Sequence, residues 1–189
     1  MLHCTNCGTE LPANAMLCPK CGTAVGASPP LTEARAIQIF IGDKHDYFTG
    51  KWAAMSAAGK QTSWNWPAFL VTLLWFPYRK MYLYTGITIG GIFIESVGEM
   101  VLDVPDSVSR ILSIAIGVTA ALLGNQFYRM HVEKHVRKVL ARRLPEAETI
   151  AELTRQGGTN VLAAIAVPVL FIAAMFGLGA LSAILGVPV

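Results

Sequence analysis

The sequence predicts a small Cys4 ribbon followed by an all-α integral membrane domain of about three transmembrane helices plus an aromatic interfacial or re-entrant helix. Three observations predict it. The only four cysteines of the 189-residue chain form a Cys-x2-Cys-x10-Cys-x2-Cys frame at Cys4, Cys7, Cys18 and Cys21. The composition is 53% hydrophobic, with a mean hydropathy of +0.49, and the apolar residues come in long blocks, unlike those of an ordinary soluble globule. Charged residues make up only 14% and collect between those blocks.

Residues 1–25 form the ribbon. Each cysteine pair sits on a short turn, so two thiolates per turn converge on one tetrahedral ion, and Zn2+ is the ion that a structural Cys4 shell takes. Gly8 and Gly22 follow the pairs, where a positive φ lets backbone amides turn back toward the sulfurs. The large apolar groups are Leu2, Leu11, Met16, Leu17 and Val25, too few for a core. Metal binding therefore supplies the folding free energy, on the order of 10 kcal/mol. A closed Cys4 shell has no open position for catalysis; a rubredoxin-like iron site and redox switching of the pairs are the other readings of these thiols. Four cysteines committed to a metal fit a reducing cytosol, and Met1–Gly8 lacks the pattern of a secretory signal. Lys20 is the only Lys or Arg in the first 30 residues and Glu10 offsets it, which argues against nucleic acid as a partner.

Residues 26–35 read as a linker carrying Pro29 and Pro30. An amphipathic juxtamembrane segment, 36–63, follows. Ala36–Ile41 fits strand or helix, with helix preferred. A second helix opens near Asp43 and Asp46, carries Phe48, Trp52 and Met55 on one face, and ends at Gly59. That face reads as core packing, with an interfacial membrane face as the alternative.

Residues 64–128 read as the membrane domain. About ten residues separate Pro67 from Pro77, too few to cross a bilayer that needs about 20. Trp64, Trp66, Trp75, Tyr78, Arg79 and Lys80 are the membrane-interface set, because Trp and Tyr favour the headgroup level and the two cations meet its phosphates. Met81–Leu102 and Val108–Tyr128 are each long enough to span, and in 159–189 so is Val161–Val187. The basic segment 129–158 lies between the second and third spans and is divided by Pro145. Three spans with the ribbon in the cytosol put Arg79, Lys80 and 129–158 inside, and the acidic Asp103–Asp106 turn and the C-terminus outside.

Glu95, Glu99 and Asp103 recur at i, i+4 and i+8 on the first span. Carboxylates there are functional candidates by default, and the plainer reading is a hydrated face or an ion pair with Arg110. His131 and His135 are an i, i+4 pair, but Val132 stands where a His-Glu-x-x-His motif needs glutamate. With Lys138 and Arg142 they read as a solvated basic face, and the 129–143 helix attracts anionic lipid. Gly86, Gly90 and Gly91, and Gly117, Ala121 and Gly124, suit close helix packing.

The runs Ser63–Phe69 and Trp75–Tyr82, preceded by Phe40–Gly42 and Tyr47, and the later Asn125–Arg129 leading into His131–Lys134, resemble the bacterial membrane domain DUF2628 over about residues 36–140. The resemblance implies a bacterial inner-membrane protein with an N-terminal zinc ribbon and names no reaction. The expected function is therefore a non-enzymatic adaptor whose cytosolic ribbon binds a protein partner. The alternative is a transport or permeation component, working as a homo-oligomer through Glu95, Glu99 and Asp103.

Overall fold

The computed structural model describes residues 2–4, 6–12, 15, 17–22, 31–102 and 105–185. The Gly26–Pro30 part of the linker, Met16, Val25 and Asp103 lie outside the described residues. In the ribbon, strands β1 (Leu2–His3) and β2 (Glu10–Leu11) pair antiparallel with Leu2 opposite Leu11.

Among the described residues, every regular element after residue 32 is a helix. α1 (Glu33–Ile41) resolves the strand-or-helix ambiguity, because the Thr32 hydroxyl accepts from the Arg35 amide at 3.2 Å and caps a helical start. A 3₁₀ turn at Gly42–Lys44 absorbs Asp43, so α2 (His45–Ala57) begins two residues after it, and Gly59 closes the helix with φ 61°. Phe48, Trp52 and Met55 are all buried, so this face packs into the protein.

The aromatic segment forms two short helices, α3 (Trp66–Leu70) and α4 (Thr72–Tyr78), rather than one. Val71 breaks them, with φ −136° and ψ 49°. Two β-branched residues in a row weaken the helix there, and the Thr72 hydroxyl donates to the Ala68 carbonyl at 2.6 Å. The pair folds back as a hairpin along α6 (Asp106–Leu140). Asn65 sits against Asn125, Ala68 against Gly124 and Phe69 against Gly117, while Trp75 and Arg79 return to Tyr128. The hairpin thus descends along α6 by about 12 Å and comes back to its starting level.

α6 runs 35 residues without interruption across the boundary between the apolar span and the basic segment. Its inner stripe explains why. Ala121, Asn125, Tyr128, Val132, Val136 and Val139 are fully buried at helical spacing, so the same face that packs α3 continues beneath the basic residues. α7 (Glu146–Gln156) starts after Pro145, where the basic segment was expected to divide. α1, α2, α7 and the last third of α6 enclose one core around Phe40, Phe48, Tyr128, Val136 and Leu153.

α5 (Tyr82–Leu102) and α8 (Val161–Leu185) flank α4. Tyr84 stacks on Phe76 and Phe127, which holds α5 beside α6, and Asn160 caps α8 while donating its own amide to the Tyr78 carbonyl at 2.8 Å. Two stretches, Ser107–Leu140 and Glu146–Ala180, are long and apolar enough to cross a membrane. α5, the first half of α6 and α8 carry most of the exposed large apolar side chains, among them Ile94, Ile111, Leu162 and Phe176. Small residues pack on α6 but not on α5: a Cβ at Gly117 or Gly124 would touch Phe69 or Ala68, whereas one at Gly86, Gly90 or Gly91 meets open space.

Gly157 marks the tightest junction. The Gly158 amide donates to the Phe40 carbonyl at 2.7 Å, and a Cβ on Gly157 would overlap that carbonyl group. Because the obstacle is backbone, it cannot rotate away. Gly157→Ala is expected to cost about 3 kcal/mol, read as a lowered unfolding midpoint in detergent. Gly86→Ala, facing open space, should leave the midpoint unchanged or slightly raised.

Candidate metal centre and buried polar junction

The ribbon brings its four predicted ligands together. All four sulfurs lie within 4.8 Å of one another, with Cys4 Sγ to Cys21 Sγ and Cys7 Sγ to Cys18 Sγ both at 3.6 Å. A tetrahedral zinc with bonds of about 2.3 Å requires sulfurs about 3.8 Å apart, so the donor set fits a metal ion and suits zinc. The knuckle glycines adopt φ 71° at Gly8 and 70° at Gly22, and their amides donate to the Cys4 and Cys18 carbonyls. Burial pushes the Cys18 thiol up to about 11. Hydrogen bonds from the hydroxyl and amide of Thr9 hold Cys7 below the ordinary thiol value, a contribution that the spacing of the cysteines did not announce. Cys18 therefore becomes a thiolate at neutral pH only with a cation beside it, and binding releases protons.

A second constellation, absent from the predicted sites apart from Arg79 and Trp75, lies where α2, α3, α4 and α6 meet. Asn65 is 2% exposed; its Oδ1 caps α3 by accepting from the Ala68 amide at 3.1 Å, and its Nδ2 donates to Asn125 Oδ1 at 3.0 Å. Asn125 in turn donates to the Ser63 hydroxyl at 2.8 Å. The Ser63 and Asn65 amides donate to the Leu122 and Ala121 carbonyls, and Trp52 Nε1 donates to the Asn125 carbonyl at 3.0 Å. Nearly every polar group brought inward here has a partner, as burial requires.

Of the interface set, Trp66 is 61% exposed and Trp64 36%, whereas Trp75 and Arg79 are 6% and 7% exposed and point inward. Tyr78 is half-buried. Lys80 sits in the left-handed region at φ 57° and donates from Nζ to the Arg155 carbonyl at 2.9 Å. Of the charge set, Glu95 and Glu99 lie half-buried on α5, and no ion pair among the described residues includes either. Glu95 Oε1 is buried without a hydrogen-bond partner, and Arg110 on α6 is exposed.

His131 and His135 are less solvated than a basic face implies. His131 packs against Phe40, Tyr128 and His135, with the two imidazole centroids 4.1 Å apart. Burial, then the neighbouring His135 and Lys134, pulls its pKa down to about 4. The folded state thus refuses a proton that the unfolded chain takes near 6.5, so stability falls as pH drops from about 6.5 to about 4 and then levels. His131→Phe should remove that arm, worth about 1–3 kcal/mol after solvent screening, in unfolding midpoints measured between pH 7 and 4.

A Cys4 ribbon joined to an apolar helical domain defines the class: a zinc-ribbon protein whose helical region holds two stretches long and apolar enough to cross a membrane. The zinc-ribbon domain family matches residues 3–25, and the protein of unknown function family DUF2628 matches residues 37–134, just over half of the chain. The chain belongs to the DUF2628 family. No curated protein and no solved structure matches it.

Proposed function

We propose that the chain is a membrane-anchored adaptor of the bacterial inner membrane, with a ribbon that binds a protein partner at the cytosolic face. α5, the apolar half of α6 and α8 are the three spans, α3–α4 is a re-entrant hairpin, and the C-terminus is outside. The basic residues of α6 and α7 then lie in the cytosol beside anionic lipid. The observation that carries the adaptor reading is the ribbon itself: four thiolates close the metal shell, and Leu17, next to the buried Cys18, is 61% exposed. A metal without an open position does no chemistry; a rigid knuckle with an exposed apolar side chain is a recognition surface. Leu17→Asp should retain stoichiometric zinc yet lose the partner recovered by cross-linked pull-down from native membranes. Recovery equal to that of the wild type would reject the adaptor.

One observation favours permeation as a second reading. An open groove of about 330 Å³ lies at the hairpin apex between Val71, Thr72, Ile92, Ser113 and Gly117. Glu95, with its unpartnered oxygen, follows Ile92 by three residues on α5. Broken helices near mid-span often mark the path of an ion or solute. If Glu95→Gln abolishes the cellular phenotype while Cys4→Ser does not, permeation replaces the adaptor.

A further inference from the structure

Arg79 is a buried cation without a carboxylate. Its guanidinium carbon lies 4.7 Å from the Phe48 ring centroid, 5.4 Å from Tyr128 and 5.5 Å from Tyr78. None of the ion pairs among the described residues includes it: Glu133 serves Arg129 and Arg137, and Glu152 serves Arg142 and Arg155. Aromatic faces return part of the cost of desolvating a guanidinium, but an uncompensated buried charge is expensive unless an anion completes it. The rings supply no hydrogen-bond acceptor to the in-plane N–H edge of the cation, the part that grips an oxyanion in a fork.

Unpaired atoms occur on Arg79 and on the residues that pack next to it through the Tyr128 ring. Four buried side-chain N or O atoms among the described residues have no hydrogen-bond partner, and three of them are Arg79 Nε, the Tyr128 hydroxyl and His131 Nε2. Tyr128 is fully buried, and its ring lies against both Arg79 and His131. The hydroxyl faces the guanidinium at a geometry short of a hydrogen bond. All three atoms can donate: the guanidinium always, the phenol by rotation, and neutral imidazole in one tautomer. A bridging water could satisfy one or two of them but would leave the charge uncompensated. An anion rich in acceptors satisfies both. The neighbouring Lys80 adds positive charge at the same end of α4.

We propose that Arg79, boxed by Phe48, Tyr78 and Tyr128, with the Tyr128 hydroxyl as a further donor, anchors a phosphate oxyanion site, filled by the phosphodiester of an anionic lipid headgroup. The assignment to a headgroup rests on the membrane reading above, which places the C-terminal end of α4 at the cytosolic headgroup level. The residual 7% exposure of Arg79 makes this an insertion site, unlike the open basic face of α6 where Arg137 is exposed.

The test uses the full-length, zinc-loaded chain in micelles of neutral detergent, with native mass spectrometry of bound lipid during titration with phosphatidylglycerol or phosphatidylcholine. One tightly held phosphatidylglycerol is expected, preferred at least tenfold over phosphatidylcholine. Arg79→Gln should weaken it tenfold or more, Arg79→Lys and Tyr128→Phe by less, and Arg137→Gln not at all. Competition by millimolar inorganic phosphate would move the site from a headgroup to a soluble phosphate. Unchanged binding in Arg79→Gln, or in Tyr128→Phe and Arg79→Lys together should Arg79→Gln not fold, would overturn the site, as would an equal loss in Arg137→Gln. Alkaline carbonate washing of native membranes tests the membrane reading separately: release of the wild-type chain would reject the spans, whereas an Arg79→Gln chain that stays in the pellet but no longer holds phosphatidylglycerol supports the site.

Discussion

Replacing Cys7 by serine, or removing the ion with a chelator, should unfold residues 1–25 and leave the helical domain standing. Among the described residues the ribbon has two strands of two residues each and a core of Cys4, Leu11 and Cys18, so its folded state would depend on metal–sulfur bonds. The expected loss is on the order of 10 kcal/mol for that module, far beyond what so small a core can replace. Limited proteolysis checks it directly: cleavage should appear within the first 25 residues, while far-UV circular dichroism, dominated by α1–α8, stays nearly constant. A protease-resistant ribbon in the chelated protein would show that the metal is not what folds it. Acid should act in the same direction, because ligand thiols regain protons as the ion leaves.

Asn125→Ala should be the most damaging single change among the polar residues of the helical domain. Asn125 is fully buried and joins α6 to two earlier segments, α2 through Trp52 and the stretch before α3 through Ser63 and Asn65. Truncation leaves Asn65 Nδ2 without a partner, at about 1–3 kcal/mol, and takes away the bond that the Ser63 hydroxyl accepts, leaving only its donation to Met55 Sδ at 3.2 Å. It also opens a void beneath the α3 contact. The sum is about 4 kcal/mol, and the hairpin should detach from α6 before the rest of the domain unfolds. A double-mutant cycle with Asn65→Ala separates this from simple volume loss. Coupled partners give a double mutant well short of additive, whereas additivity would mean that the two amides do not act together.

The family match ends at residue 134, but the structure built on that segment does not. Leu153 of α7 completes the core around Phe40 and Val136, and Asn160 at the start of α8 holds Tyr78 and Tyr82. α7 and α8 are therefore integral to the packing of the family domain in this chain. Substitutions at Leu153 or Gly157 should disturb α1 and α4 as much as their own helices.

The ribbon was legible residue by residue, because its ligands lie within 18 positions and the chemistry of four thiolates at that spacing admits few geometries. Helix existence was legible for a similar reason: apolar runs and Pro145 act on their own turn of backbone. Hydropathy could also mark which stretches avoid water. It could not say which face of an apolar helix meets which partner, since every face of such a helix looks alike to a moment or a window. The run of α6 past Tyr128, the inward turn of Arg79 and Trp75, and the Asn65–Asn125 bond were decided only in the tertiary structure. Each depends on groups far apart in sequence, brought together because buried polar atoms must find partners and backbones approach only where a glycine, as at Gly124 or Gly157, allows it.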